Sequence, residues 1–209
     1  DRTIYYTLDG SDPRLPGGAV NLISARSYTQ PIELTASTQV KTRMLSDGVW
    51  SALNEATFAV GPVADSLRIS EIQYNPADDP NAEFIELTNV GAETVDLNLV
   101  RLTTGVQFTF PPFELPAGGH CLLVKDLAAF EARYGYDLPV LAQFAGGLSN
   151  AGERIVLVDA RGEVIESFEY KDDWFDPSDG MGCSLNRGDV WADGNDPNNW
   201  YAAVPSPGF

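Results

Sequence analysis

Leu67–Val90, LRISEIQYNPADDPNAEFIELTNV, is the stretch whose reading decides the fold: two strand-like segments, each carrying one acid in an apolar setting, flank a Pro/Asp-rich loop. Alternation at period two places Glu71 in phase with Leu67 and Ile69, on the core-facing side. Glu86 is out of phase with Ile85 and Leu87 and should face outward, so the two acids are expected on opposite faces. Paired carboxylates are the machinery of glycosidases, which makes this pair the one catalytic candidate to weigh. The opposite-face reading favours a structural role instead. Glu71 would be a partly buried acid at a strand end, hydrogen-bonded to backbone N–H groups or to an arginine such as Arg154 or Arg187.

Downstream, strands recur at short spacing, and hairpin turns are expected at Asp159-Ala160-Arg161-Gly162 and Pro116-Ala117-Gly118-Gly119. KDLAAFEARYGYD breaks the pattern. There Leu127, Phe130 and Tyr134 follow helical spacing, Asp126 can cap the start and Gly135 can end it, so a short helix on an inter-strand crossover is expected. After Tyr170 the chain is rich in Asp, Asn, Gly and Pro, with three tryptophans to pin it down. Long ordered loops with a short strand around Cys183 to Asn186 are expected there. Upstream, IYYTL, PIELTA, QVKTRML and EATFAV alternate apolar with polar residues, a small all-β pattern. Residues 1–61 and 67–209 therefore read as separate units, joined by a linker at 62–66.

LRISEIQYNPADDPNAEFIELTNV, VDLNLVRL, FTFPPFELPAGGHCLLV, LSNAGERIVLVDARGEVIESFEY, GMGCSLNR and the closing NWYAAVPSPG together resemble a lamin-tail domain over residues 67–209. The resemblance implies an immunoglobulin-like β-sandwich used for binding and attachment, with no catalytic residues. IYYTLDGSDPR, Tyr28, PIEL and VKTRMLSDGVWS resemble the small sandwich domain at the C-terminus of chitobiase and β-hexosaminidase-type enzymes. The chain opens almost at YYTLDGSDP, so the strands that precede it in that family are expected to be missing, leaving a half-sandwich that exposes part of its core. The fold class is thus all-β: an immunoglobulin-like β-sandwich of lamin-tail type with one short crossover helix, preceded by a smaller, truncated Ig/fibronectin-like β-sandwich.

Composition narrows the partners. A net charge of −17 over 209 residues repels phosphate backbones and anionic lipid, and the 13 Lys and Arg are scattered, so nucleic acid is not expected. No run approaches the roughly 20 apolar residues of a membrane span, so direct membrane insertion is not expected either. The start at Asp1 suggests a piece of a longer polypeptide. Cys121 and Cys183 lie outside any zinc spacing; a single disulfide and two free thiols both remain open, with Cys121 in an apolar run. His120, the one histidine, has no nucleophile motif beside it and reads as a surface residue.

Two loop features carry the remaining candidates. Asp-rich loops occur at Asp9 and Asp12, at Asp78 and Asp79, and at Asp172, Asp173, Asp176 and Asp179. Asp189, Asp193, Asn195 and Asp196 are the best-placed candidate ligands for a calcium ion, which takes about six to eight oxygens. The competing reading is that each Asp caps its own turn. No cofactor is required. Trp174, Phe175, Trp191, Trp200 and Tyr201 are candidate contacts for a sugar or protein, against the reading that they anchor irregular loops. The function expected is a non-catalytic binding, attachment or spacer module of a larger secreted or cell-surface bacterial protein, recognising a protein or cell-envelope glycan partner. A carbohydrate-binding accessory module of a secreted hydrolase is the alternative.

Overall fold

The computed structural model describes residues 2–209 and divides between Gly61 and Pro62 into two units. The first contains β1 (Arg2–Thr7), β2 (Arg26–Ser27), β3 (Thr38–Ser46), β4 (Val49–Trp50) and β5 (Asn54–Phe58). All five join one antiparallel sheet, with β1 along one side of β3 and both β4 and β5 along the other. Loop residues cover one face of this sheet: Asp12 grips Arg43 with bonds of 2.8 and 2.7 Å, and Trp50 Nε1 donates to the Gly18 carbonyl at 2.7 Å. The register puts Ile4, Met44 and Phe58 on the opposite face, where all three are exposed. Val40 and Pro13 are the buried apolar side chains among the described residues of this unit. Its strands form a single layer. PIELTA, expected as a strand, forms none: Pro31 removes a donor at its head, and the chain bends at Thr35–Ala36.

The second unit runs through α1 (Val63–Ser66), β6 (Leu67–Gln73), β7 (Phe84–Asn89), β8 (Val95–Asp96), β9 (Arg101–Thr104), β10 (Phe108–Thr109) and β11 (Glu114–Leu115). It continues with β12 (His120–Val124), α2 (Leu127–Tyr134), β13 (Val140–Gln143), β14 (Glu153–Val158), β15 (Val164–Tyr170), β16 (Ser184–Arg187) and β17 (Trp200–Ala203). A six-stranded sheet, ordered β13-β12-β7-β6-β16-β17, packs on a four-stranded sheet, β10-β9-β14-β15, with β8 and β11 pairing separately. Ile69, Ile72, Ile85, Leu87 and Leu123 of the first layer share one core with Leu102, Ile155, Leu157 and Phe168 of the second. This is an immunoglobulin-like β-sandwich. Its six-stranded sheet is also covered outside: Phe84, Leu122 and Val124 pack under Phe130 of α2. Every residue of β7 is consequently buried.

Local chemistry shapes the connections. β12 and β13 pair in parallel, which requires a crossover, and α2 supplies it. Asp126 caps that helix by accepting from Ala129 N at 2.9 Å, and Gly135 closes it at φ 99°. The turn at 159–162 joins β14 to β15, with Asp159 Oδ1 accepting from Arg161 N and Glu163 N at 2.9 Å each. The turn at 116–119 also forms, but it is a corner and not a hairpin: β11 pairs with β8, and β12 with β7. Nor is 62–66 a linker. Pro62 leads into the helical turn α1, whose Val63 gains by burial in the core and whose Ser66 carbonyl accepts from Val90 N at 2.8 Å. Cys121 and Cys183 are free thiols, and burial pushes Cys121 up to about 12.

Candidate functional site

The acid pair is assembled by a bulge. Ile69 lies opposite Leu87, yet Glu71 lies opposite Glu86, so Ser70 is an extra residue between them and reverses the phase of the rest of β6. Glu71 therefore shares the outer face of the six-stranded sheet with Glu86 and Ser70, and Ser70 Oγ donates to Glu86 Oε1 at 2.6 Å. The opposite-face expectation is overturned: period-two counting fails wherever two residues of one strand oppose one of the next.

Both carboxylates are 1% exposed and engaged by internal donors. Glu71 accepts from Ser184 Oγ, from Ser206 N at 3.1 Å and from Ser206 Oγ at 3.2 Å. Glu86 Oε2 accepts from Gly208 N at 2.6 Å, while its Oε1 lies 3.1 Å from His120 Nδ1. Burial raises the Glu71 carboxyl above the usual range against the opposing pull of Ser184 and Ser206. Hydrogen bonding to Glu86 raises His120, which is a half-buried partner of the acid row and not a free surface histidine. Beside the row opens a cleft of about 690 Å³, bordered by Arg133, Tyr134, Leu138 and the closing residues Val204–Pro207 and Phe209.

Neither arginine proposed for Glu71 reaches it. Arg154 Nε bonds Ser167 Oγ at 3.0 Å. Arg187 bonds Glu166 at 2.5 Å and the Ala192 carbonyl at 2.8 Å, its guanidinium 4.9 Å from the Trp200 ring centroid. The terminal N–H groups of this buried cation are paired and its stem is covered by the aromatic face, while Arg187 Nε has no hydrogen-bond partner.

The five aromatic candidates separate. Trp200 is buried against Phe168, with Nε1 donating to the Gly194 carbonyl at 2.9 Å, and Trp174 and Phe175 pack half-buried on the core. Trp191 and Tyr201 are the exposed ones, at 61% and 50%, and the Arg68 guanidinium lies 4.9 Å from the Trp191 ring centroid.

The four calcium candidates face their own turns. Asp189, Asp193 and Asp196 each accept from the backbone N–H two residues on, from Trp191, Asn195 and Asn198 respectively, at 2.9 Å. These bonds are what short acidic side chains make in tight turns. The Asn195 donors also hold the Asp193 carboxyl below its ordinary value. Asn195 itself covers the edge of β15, accepting from Glu169 N at 3.1 Å and donating to the Ser167 carbonyl at 3.4 Å. Among the described residues no three His, Cys, Asp or Glu are grouped to hold a metal ion.

Sequence reasoning missed Ser184, Ser206 and Gly208 as partners of the acids. The sequence signal was the dipeptide Pro207-Gly208, which marks a turn; in the structure Gly208 has φ +91°, and a Cβ there would lie 2.8 Å from Pro139 Cδ.

Comparison with known proteins adds to this geometry. The family model of the lamin tail domain matches residues 62–172, and the model described as Fn3 associated matches residues 1–54, the unit whose motifs resemble the chitobiase type. No curated protein matches the chain. Among solved structures it is similar to a DUF4876 family protein from Bacteroides thetaiotaomicron VPI-5482, at 11% identity and a TM-score of 0.50, over 99% of this chain and 92% of that one. A likeness at that identity bears on the fold alone.

Proposed function

The chain belongs to the lamin tail domain family, whose model spans more than half of it, and from this premise we propose a non-catalytic binding or attachment module, or spacer, of a larger secreted or cell-surface bacterial protein. Its partner is a protein or a component of the cell envelope. The observation that carries this reading is the state of Glu71 and Glu86: the pair that could have done acid–base chemistry is buried and holds neighbouring side chains and backbone in place. Both families matched are non-enzymatic module types. Among the described residues no helix is long and apolar enough to cross a membrane.

Recognition falls to what stays exposed on the rigid sandwich. Tyr201 projects from β17, the last strand of the six-stranded sheet, whose outer side is an edge on which a partner strand can add. Trp191 and Arg68 form a second contact on the connection leading to β17. An aromatic and an arginine are the side-chain types that dominate protein-contact energetics. One face of the Trp191 ring already carries the guanidinium, which supports a protein contact over sugar stacking.

Immobilised chain probed with solubilised cell-envelope fractions tests the proposal. Saturable, protease-sensitive binding reduced at least about tenfold by Tyr201→Ala or Trp191→Ala is expected. Saturable binding to purified polysaccharide, abolished by Trp191→Ala and insensitive to protease, would replace it with the carbohydrate-binding accessory reading.

A further inference from the structure

Segment 204–209 is held on the outer face of the six-stranded sheet by two backbone N–H groups, the Ser206 hydroxyl and the buried ring of Pro207. Val204 and Phe209, its two large apolar side chains, are 80% and 85% exposed, whereas the N–H groups of Ser206 and Gly208 are bonded to Glu71 and Glu86. We propose that this face is a peptide-recognition groove that reads Ser-x-Gly in an extended segment. In this chain Ser206-Pro207-Gly208 fills it in cis, and the same signature on another polypeptide is its ligand in trans.

The chemistry of each position supports the reading. Serine is favoured first because it supplies two donors to one carboxylate, N–H to Oε1 at 3.1 Å and O–H to Oε2 at 3.2 Å. The middle residue contributes no N–H here, since it is proline. Glycine is required third: its N–H meets Glu86 Oε2 at 2.6 Å, its φ is +91°, and any Cβ would collide with Pro139. The acceptors are buried carboxyl oxygens, and a hydrogen bond in such a low-dielectric setting is electrostatically stronger than one in water. They are also held in position before any peptide arrives, Glu71 by Ser184 and Glu86 by Ser70 and His120. Preorganised acceptors reduce the entropy lost on binding. The adjoining cleft, with Arg133, Tyr134 and Leu138 on its wall, has room for residues flanking the signature.

The test uses the full chain carrying Gly208→Val, which unseats the segment by collision with Pro139, and a labelled synthetic peptide of sequence AVPSPGF. Fluorescence anisotropy should show saturable binding to Gly208→Val. Binding to the unsubstituted chain, whose groove is filled, should be at least about tenfold weaker. A similar loss is expected when the peptide has Ala for its Ser or Val for its Gly, or when the protein also carries Glu71→Gln. Hydrogen exchange should find the Ser206 and Gly208 amides protected in the unsubstituted chain and open in Gly208→Val. If Gly208→Val does not fold, Gly208→Ala, whose smaller side chain meets the same Pro139 at the same positive φ, serves as the unseated chain. No binding up to millimolar peptide, equal binding of the altered peptides, or unprotected Ser206 and Gly208 amides in the unsubstituted chain would each overturn the proposal.

Discussion

The two units solve the same problem with different means. The first lays five strands into one sheet, and Val40 is the one strand residue with a buried apolar side chain among its described residues. Its covered face is fastened by polar contacts, Arg43 to Asp12 and to the Ser51 carbonyl, and Trp50 to the Gly18 carbonyl. The second sets a six-stranded sheet between a four-stranded layer and α2, so that β7 has no exposed residue. The difference teaches that alternation suffices to make strands pair, but stability comes from a second layer that removes the apolar face from water.

Substitutions in the second unit should therefore cost most. Arg187→Ala strips Glu166 of its cationic partner, leaving it the Ile69 N–H alone, and opens a cavity beside Trp200, so a loss of ~3–5 kcal/mol in urea unfolding is expected. A loss under about 1 kcal/mol would show that the buried ion pair does not hold the layers together. Leu87→Ala, in the centre of β7, should cost ~3 kcal/mol by the same measurement, from lost transfer energy and the cavity left behind. Asp126→Ala removes the cap of α2 and should cost ~1 kcal/mol, with faster exchange at Ala129 N–H as its local signature.

The first unit should respond mainly to charge. Hydrogen bonding to Arg43 holds the Asp12 carboxyl down at about 2, and Ser11 does the same for Asp9. Both values are depressed relative to an ordinary aspartate, so their contribution is complete above about 4 and is lost as pH falls through about 2. Emission from Trp50, measured in a chain with the other three tryptophans replaced by Phe, should report loosening in that window, and Asp12→Asn should flatten the response. Ile4→Ala on the open face should be nearly silent, within about 0.5 kcal/mol. A cost like that of Leu87→Ala would mean that the open face is covered in solution and would erase the contrast between the units.

Much of the architecture was legible because its causes are local. Asp126, Phe130 and Gly135 mark a helix through its cap, its buried face and its terminating conformation, all within ten residues. Asp159 and Gly162 likewise make their turn with their own neighbours. The acid pair was misread for the opposite reason. Whether Ser70 is paired or bulged depends on how β6 meets β7, and one unpaired residue moves Glu71 to the other side of the sheet. Arg187 and Glu166 lie too far apart in the chain for any periodicity to join them. For Asp189, Asp193 and Asp196, composition records the oxygen atoms but not the backbone N–H groups that bond to them.

Residue order alone determined the strand-rich class, the crossover helix, the acidity that disfavours polyanionic partners and the family resemblance, since alternation, caps and charge act over a few residues or over the whole surface. Tertiary structure alone decided which face each acid occupies, which aromatics stay in water and what the segment at 204–209 rests on. Those outcomes depend on register and layer packing, where a one-residue shift in pairing exchanges core for surface.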